Sequence, residues 1–549
     1  MANSPDPAGF SAQVRSSRVG AIARRLWRRD DRGVDWAWAI GLGLMALLLY
    51  TVRLGELPLR DWDEGTVAQV ARELARVPIG SEAWWFPTLH DRPYFNKPPL
   101  LHWAIALLFR GFGESEWTAR LPGAVLGALG VPLLFAVGRL VFAHRSAAIF
   151  SALVYLTWLP VVRHGRLAML DAAIVAFSLV AWACLLRARR DLRWTLGMGL
   201  ALGAIALLKG LVALLFGGLM LAFVLWDTPR LARSPYLWLG GALGLAPALA
   251  WYGAQWQHYG AAFFEANLMN QSLRRVWDSV SQRSGPPWFY VQELLELAWP
   301  WLFLLPGGLQ RAWADRDWPW AKLVLVWSVG YLVPISLMET KLPWYAMPLY
   351  PALALAIGQA IAELWDEPPG RFDQTWLVIF GTLAIGGGVG AVYFGWFAVP
   401  TDPLLALSLA ALGLTGCVVT VLAQQGDRHL LPVAVWGMFV GLVLFLSSGS
   451  WLWELNEQYP VRPVATALRS VVPAGAKVYT SDRTQRPSLD FYCHCEVVPV
   501  PGAEQVRHWA DRSVPIWLIR PQDYRRAPFQ GAPIIDKTGD RWVIRHPAP

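Results

Sequence analysis

What most constrains this chain is a series of apolar windows, each of about 20 residues, that recurs along most of its length; such a window is long enough for a helix to cross a bilayer. We place spans at 35–53, 117–142, 146–162, 168–187, 194–207, 210–226, 236–254, 288–310, 318–338, 345–363, 374–398, 403–424 and 430–452. Hydrophobic residues make up 55% of the 549 and charged residues 16%, whereas soluble domains carry about 25% charge. A long soluble protein is thereby excluded. The net charge of +9 is spread over loops with no basic run of nucleic-acid type, so no nucleic-acid partner is expected.

Loop charge orients the spans. The segment "PPLLHWAIALLF" (98–109) is apolar but too short to cross, which points to an interfacial or re-entrant helix. With 98–109 kept on one side, the Arg-rich tail 1–33, Arg139 with Arg145, "RARRDLR" (187–193), Arg230 with Arg233, Arg311 with Arg316, and Arg428 all fall on the cytoplasmic face. The sequence thus predicts a polytopic α-helical membrane protein of the inner (plasma) membrane with about thirteen transmembrane helices. Its membrane domain covers 34–452, with interfacial helices in a first outer loop at 55–116. The composition changes after 452, where short apolar strands alternate with helix and turn signals; 453–549 reads as a small outer α/β domain. Cys184 and Cys417 lie in apolar runs as packing residues. Cys493 and Cys495 are too few for a zinc site and unusually spaced for a disulfide.

The outer face collects cations that topology disfavours there: Lys97, Arg163, Arg166, Lys209, Arg274, Arg275 and Lys341. An anionic ligand accounts for the set; lipid headgroups account for any one of them singly. In "RDWDEGTVAQVARE" (60–73), Asp63 and Glu64 open an apolar helical stripe, so helix capping and catalysis are both open. A carboxylate at a poorly solvated membrane boundary suits general-base work. Asp171 begins an apolar run, where an acid needs a partner, and Arg163 and Arg166 are the nearest in sequence; a structural ion pair is the plainer alternative. Lys97 in "RPYFNKPPLLHW" and Lys341 with Tyr345 in "TKLPWYAMPLYP" sit between prolines that stiffen the backbone. Such groups suit a phosphate, but interfacial anchoring is the competing reading. No phosphate-binding glycine loop, zinc-protease helix or serine-hydrolase elbow occurs.

Taken in order, Asp63-Glu64, "PYFNKPPLLHW", "AMLDA" (168–172), "RRVWDSVSQRSGPPWFYV" and "KLPWYAMPLYP" resemble the motifs of lipid-linked-sugar glycosyltransferases of the protein O-mannosyltransferase and aminoarabinose transferase type. The resemblance covers about residues 55–350. It implies an inverting membrane glycosyltransferase that moves a sugar from a polyprenyl-phosphate donor to an acceptor hydroxyl or phosphate. The acceptor is a lipid, glycan or protein at the extracytoplasmic face. It further implies Asp63 as base, with Asp171 and Glu64 as catalytic partners, and Lys97, Arg274 or Arg275, Lys341 and Tyr345 around the donor phosphate. Tyr94, Arg163, Arg166 and Lys209 are further site candidates. The sequence departs from the family at Thr66, at Asn96 and at Asn270, where family members carry Arg, Glu and His. The last two replace usual ligands of a divalent metal, so the sequence requires no cofactor, with a divalent metal left as the alternative. A transporter or flippase of a lipid-linked or anionic substrate is the alternative, disfavoured by the lack of an internal repeat.

Overall fold

The computed structural model describes residues 32–278, 284–367, 370–453, 459–511, 514–526 and 528–546. Most of the Arg-rich tail 1–33 and residues 279–283 of the loop 267–290 lie outside these. Among the described residues nine helices are long and apolar enough to cross a membrane: Arg32–Thr51, Glu116–Val141, Asp171–Ala188, Pro235–Tyr259, Pro319–Leu337, Pro343–Asp366, Gln374–Phe397, Pro403–Gln425 and Leu430–Ser447. A bent pair, Arg145–Leu156 and Leu159–Gly165, meeting at 63°, makes ten. The break falls just before Pro160, which lacks the N–H needed to continue the ladder.

Three further spans read from sequence take different forms. Trp194–Lys209 and Val212–Asp227 are helices of 16 residues each, about 24 Å long at 1.5 Å per residue. Between them Gly210 adopts φ +43°, a conformation that turns the chain immediately after Lys209 and that side chains with a Cβ resist. The window 288–310 is broken into Phe289–Leu297, Trp301–Leu304 and Leu305–Ala314, with Pro300 and Pro306 at the joints. The helix following Lys97 is Leu100–Phe112, 13 residues; at about 20 Å it is too short to cross.

Close packing fixes several of these helices. Trp194–Lys209 and Pro235–Tyr259 meet backbone to backbone: a Cβ added at Gly199 or Gly203 would collide with the carbonyl oxygen of Gly240 or Gly244. Small residues at such spacing let helices approach where no solvent drives them together. The loop 55–116 is tied to the end of Pro235–Tyr259. Trp251 and Gln255 donate to the carbonyl of Trp85, and Phe86 stacks on His258 with ring centres 4.2 Å apart.

Beyond the last long helix, the described residues form a five-stranded sheet. Its order is Glu496–Pro499, Lys477–Thr480, Ile516–Ile519, Arg541–Arg545 and Ile534–Thr538, the first three parallel and the last two an antiparallel addition. Alternation along the strands divides the core. Val478, Leu518 and Val543 face the helices Val461–Arg469 and Pro487–Cys493, while Trp517, Ile519 and Ile544 face Phe529 on the other side. Cys493 and Cys495 are joined by a disulfide, correcting the expectation from their spacing: His494 takes a left-handed conformation that brings the two Cα atoms to 5.2 Å. Cys184 is buried, but Cys417 is exposed on its helix and does not pack in the core.

Candidate functional site

A cavity of about 180 Å³ lies where the loop 55–116, the turn after Lys209, the segment 267–276 and the loop before Pro343–Asp366 converge. Lys97, Lys209, Arg275 and Tyr345 line it together with Asn96, Gln271 and Tyr331. Leu211, Val212, Leu215, Ile335 and Met338 supply an apolar wall. The combination of an apolar wall with a few convergent polar groups suits an amphipathic ligand.

The chain brings these groups together by local means. Lys97 precedes Pro98 and Pro99 at the start of Leu100–Phe112, and the amide of Asn267 donates to the carbonyl of Phe95 at 2.6 Å, fixing the approach. Burial drives the Lys97 ammonium down to about 7; Arg275 and Lys209 push the same way, while Asp171 and Asp63 oppose them. The same ammonium therefore senses four groups from four chain segments. Lys209 ends its helix with Nζ 2.8 Å from Asp171 Oδ1, and it lies over the ring of Tyr345 at 4.5 Å. Asp171 is buried at the N-terminus of Asp171–Ala188, so its partner is Lys209 rather than Arg163 or Arg166.

Arg275 follows the π-helical stretch Phe264–Leu273. It donates to the Tyr345 hydroxyl at 3.0 Å and to Gln271 Oε1 at 2.7 Å. Its Nε is buried with no hydrogen-bond partner among the described residues, leaving a guanidinium donor at the cavity unused. The segment is held to the Tyr345 loop by backbone bonds from Glu339 and Thr340 to the carbonyls of Val276 and Arg275. Arg274 is exposed and does not line the cavity, whereas Arg275 does.

Asp63 is the N-cap position of Glu64–Arg76, but its side chain makes no capping bond. Its carboxylate lies 3.9 Å from the Arg60 guanidinium, and it retains 28% side-chain exposure. Capping, the plain reading of this acid, is therefore not what occupies it. Glu64 is different: fully buried, it accepts two bonds from Arg120 at 2.8 Å and the backbone N–H groups of Arg60 and Ala168. Both oxygens are committed, so Glu64 is a structural anchor and not a group free to react. The partner Arg120, buried with it, also donates to the carbonyls of Leu54, Leu57 and Pro58.

Several other residues singled out from sequence lie elsewhere. Lys341 does not line the cavity; its ammonium donates to the carbonyls of Ile335, Ser336 and Met338, satisfying the end of Pro319–Leu337. Arg163 donates to the carbonyl of Trp451 and stacks on Trp453, and Arg166 donates to the carbonyls of Leu49 and Val52. Arg166 braces the end of Arg32–Thr51, and Arg163 holds the stretch that follows Leu430–Ser447. Tyr94 is buried edge-on to His102, with its hydroxyl pKa pushed up by burial. Sequence reasoning missed Gln271, one helical turn before Arg275, and Tyr331. The i, i+4 spacing of Gln271 and Arg275 was the available signal.

Among the described residues no group of three or more His, Cys, Asp or Glu side chains is placed to hold a divalent metal, and Asn96 and Asn270 offer neutral amides.

A bundle of membrane helices with a cationic, partly apolar cavity beside a loop carboxylate suits a membrane protein that handles an anionic, lipid-linked substrate. Residues 96–252 match the family model for dolichyl-phosphate-mannose-protein mannosyltransferase. An undecaprenyl phosphate-alpha-4-amino-4-deoxy-L-arabinose arabinosyl transferase from Pectobacterium carotovorum is 30% identical over 72% of this chain and 68% of its own length. Arabinosyl transferase 2 from Pseudomonas fluorescens is 27% identical over 89% of this chain and 85% of its own. The fold superposes on ArnT from Cupriavidus metallidurans bound to undecaprenyl phosphate with a TM-score of 0.74, at 22% identity, over 93% of this chain and 98% of that one. The chain belongs to the same family as these arabinosyl transferases: it is an integral-membrane glycosyltransferase that takes its sugar from a polyprenyl-phosphate donor.

Proposed function

We propose that the donor phosphate is held in the cavity by Lys97, Lys209, Arg275 and Tyr345, and that Asp63 is the base that activates the acceptor. The observation that carries this is the buried, unpartnered Nε of Arg275 beside two lysines. Three cations line the cavity, and the two carboxylates that act on Lys97 are both engaged elsewhere: Asp171 with Lys209 at 2.8 Å and Asp63 with Arg60 at 3.9 Å. A phosphate monoester or diester balances that charge and accepts the unused donor. Asp63 takes the proton from an acceptor hydroxyl while the acceptor oxygen bonds to the anomeric carbon. The carbon–oxygen bond to phosphate breaks, its electron pair leaving on a phosphate oxygen that the cations stabilise. One base and an anionic leaving group suffice for in-line displacement with inversion. Asp171 acts through Lys209, fixing the ammonium at the phosphate. The apolar wall of Leu211, Val212, Leu215 and Ile335 receives the start of the prenyl chain.

In this reading the cavity opens on the extracytoplasmic side of the inner membrane. The two 16-residue helices, the bent pair and the broken segment 289–314 bring the crossings to thirteen, and residues 453–549 form an outer domain. The acceptor is a hydroxyl or phosphate on a lipid, glycan or protein. Neutral Asn96 and Asn270 in place of acidic and basic groups suit a metal-free site. The transporter reading is not favoured, since the relatives are transferases and the charges meet at a boundary cavity.

The test is Asp63→Asn in purified protein supplied with labelled polyprenyl-phosphate sugar and cell-envelope acceptors. Transfer is expected to be lost while the protein remains folded and still binds polyprenyl phosphate. Near-normal turnover would overturn the assignment.

A further inference from the structure

The short turn that presents Asp63 is held from two directions, and one of them is the far end of the chain. Trp62, between Asp61 and Asp63, has φ +56°, a left-handed conformation that a Trp adopts only when its surroundings impose it. The backbone N–H of Asp63 donates to the carbonyl of Asp61 at 2.6 Å, closing the turn tightly. On the Glu64 side the buried pair with Arg120 fixes the start of the helix. On the Asp61 side the contacts come from the C-terminal unit. Arg486 Nε donates to Asp61 Oδ2 at 2.7 Å, the backbone N–H of Ser488 donates to Oδ1 at 3.3 Å, and the Ser488 hydroxyl donates to the same oxygen. Directly beneath, Gly65 lies against the backbone of Pro487 and Ser488 so closely that any Cβ there would collide with it. Arg486 is itself braced, donating to the carbonyl of Tyr459 at 2.7 Å and lying over that ring.

We propose that Asp61 is a positioning residue for the transfer reaction, and that the outer C-terminal unit, through Arg486 and Ser488, sets the turn from which Asp63 reaches the acceptor. The C-terminal unit is thereby a working part of the active site and not an appendage, although none of its residues lines the donor cavity. The proposal rests on the reading of Asp63 as base. Because Asp61 lies outside the phosphate-binding set, its loss acts on the chemical step and spares donor binding. A carboxylate misplaced by about an ångström is enough to slow transfer roughly 100-fold.

The experiment measures kcat and donor KM, per folded enzyme, for Asp61→Asn and Arg486→Gln with labelled polyprenyl-phosphate sugar. The same two substitutions are then read in an Asp63→Glu background, where the base is already misplaced. We expect kcat to fall about 10- to 100-fold with donor KM unchanged, partial rescue in Arg486→Lys, and less than multiplicative loss in the Asp63→Glu background. An unchanged kcat, a rise in donor KM without a fall in kcat, or fully multiplicative losses would each overturn the proposal. If Asp61→Asn does not accumulate, Ser488→Ala removes a single hydroxyl contact and is judged by the same readouts. Failure of the base assignment is distinguishable, since it shows as near-normal transfer by Asp63→Asn alone.

Discussion

Replacing Lys97 by Met tests the cavity from both its empty and its filled state. Burial and two neighbouring cations bring the Lys97 ammonium from an ordinary 10.5 to about 7. At about 1.4 kcal/mol per pH unit, that drop of about 3.5 means that charging Lys97 in the empty fold opposes stability by at most about 5 kcal/mol. The figure is an upper bound, because Lys97 is only half-buried at the cavity wall and water there screens it. The sign is fixed by proton count: above pH 7 the unfolded chain holds a proton that the folded Lys97 has released, so stability rises with pH. By pH 9 the residual penalty is about 2 kcal/mol. Lys97→Met removes it altogether. The variant should therefore resist heat better than the parent at pH 6, with the gap narrowing towards pH 9. It should also bind polyprenyl phosphate about 10- to 150-fold more weakly at pH 6, the value of one charge-assisted hydrogen bond of about 1.5–3 kcal/mol. Thermal unfolding and phosphate-lipid binding, both between pH 6 and 9, read the two effects on one preparation. A variant with parental heat resistance at pH 6 and undiminished affinity would refute both the buried charge and its role.

The two arginines of the 274–275 pair should separate sharply in donor kinetics. Arg275→Ala should raise donor KM about 10-fold or more, whereas exposed Arg274→Ala should leave it unchanged; equal effects would reject the assignment of Arg275 to the cavity. Glu64→Gln should act on folding, since it leaves the Arg120 guanidinium buried without its counter-charge. A loss of about 3–5 kcal/mol is expected, visible as a lower unfolding temperature and reduced yield, and a parental unfolding temperature would contradict the anchoring role.

Much of the helical scaffold was legible because a bilayer imposes one length on apolar windows, as Glu116–Val141 and Leu430–Ser447 illustrate. Hydropathy cannot see where prolines and backbone turns interrupt a window, which is why 288–310 read as one helix and is three pieces. Within the site, Lys97, Arg275 and Tyr345 were identifiable from Pro-framed or Arg-bearing loops on one face, and they do meet. Lys341, in an equally suggestive frame, is consumed by three carbonyls at a helix end. A motif reports which residues are near a boundary, but it does not say which backbone groups compete for them. The partners of Glu64 and Asp61, Arg120 and Arg486, were beyond reach for a simpler reason. They lie 56 and 425 positions away in sequence, and no local pattern links them.

The glycine seam between Trp194–Lys209 and Pro235–Tyr259 has a consequence for evolution and for engineering. Gly203 precedes Lys209 by six residues, about 9 Å along the helix. A methyl group at the seam cannot be absorbed by a rotating side chain, because what it meets is main chain. The helix must slide or tilt as a body, and Lys209 at its tip moves with it. The distance between that ammonium and Asp171 is therefore set by how closely two backbones can touch, a tolerance narrower than any side chain could provide. Gain-of-function changes to the donor pocket should accordingly accumulate in Leu211, Val212 and Leu215, past the Gly210 turn, and not in the helix that delivers the charge.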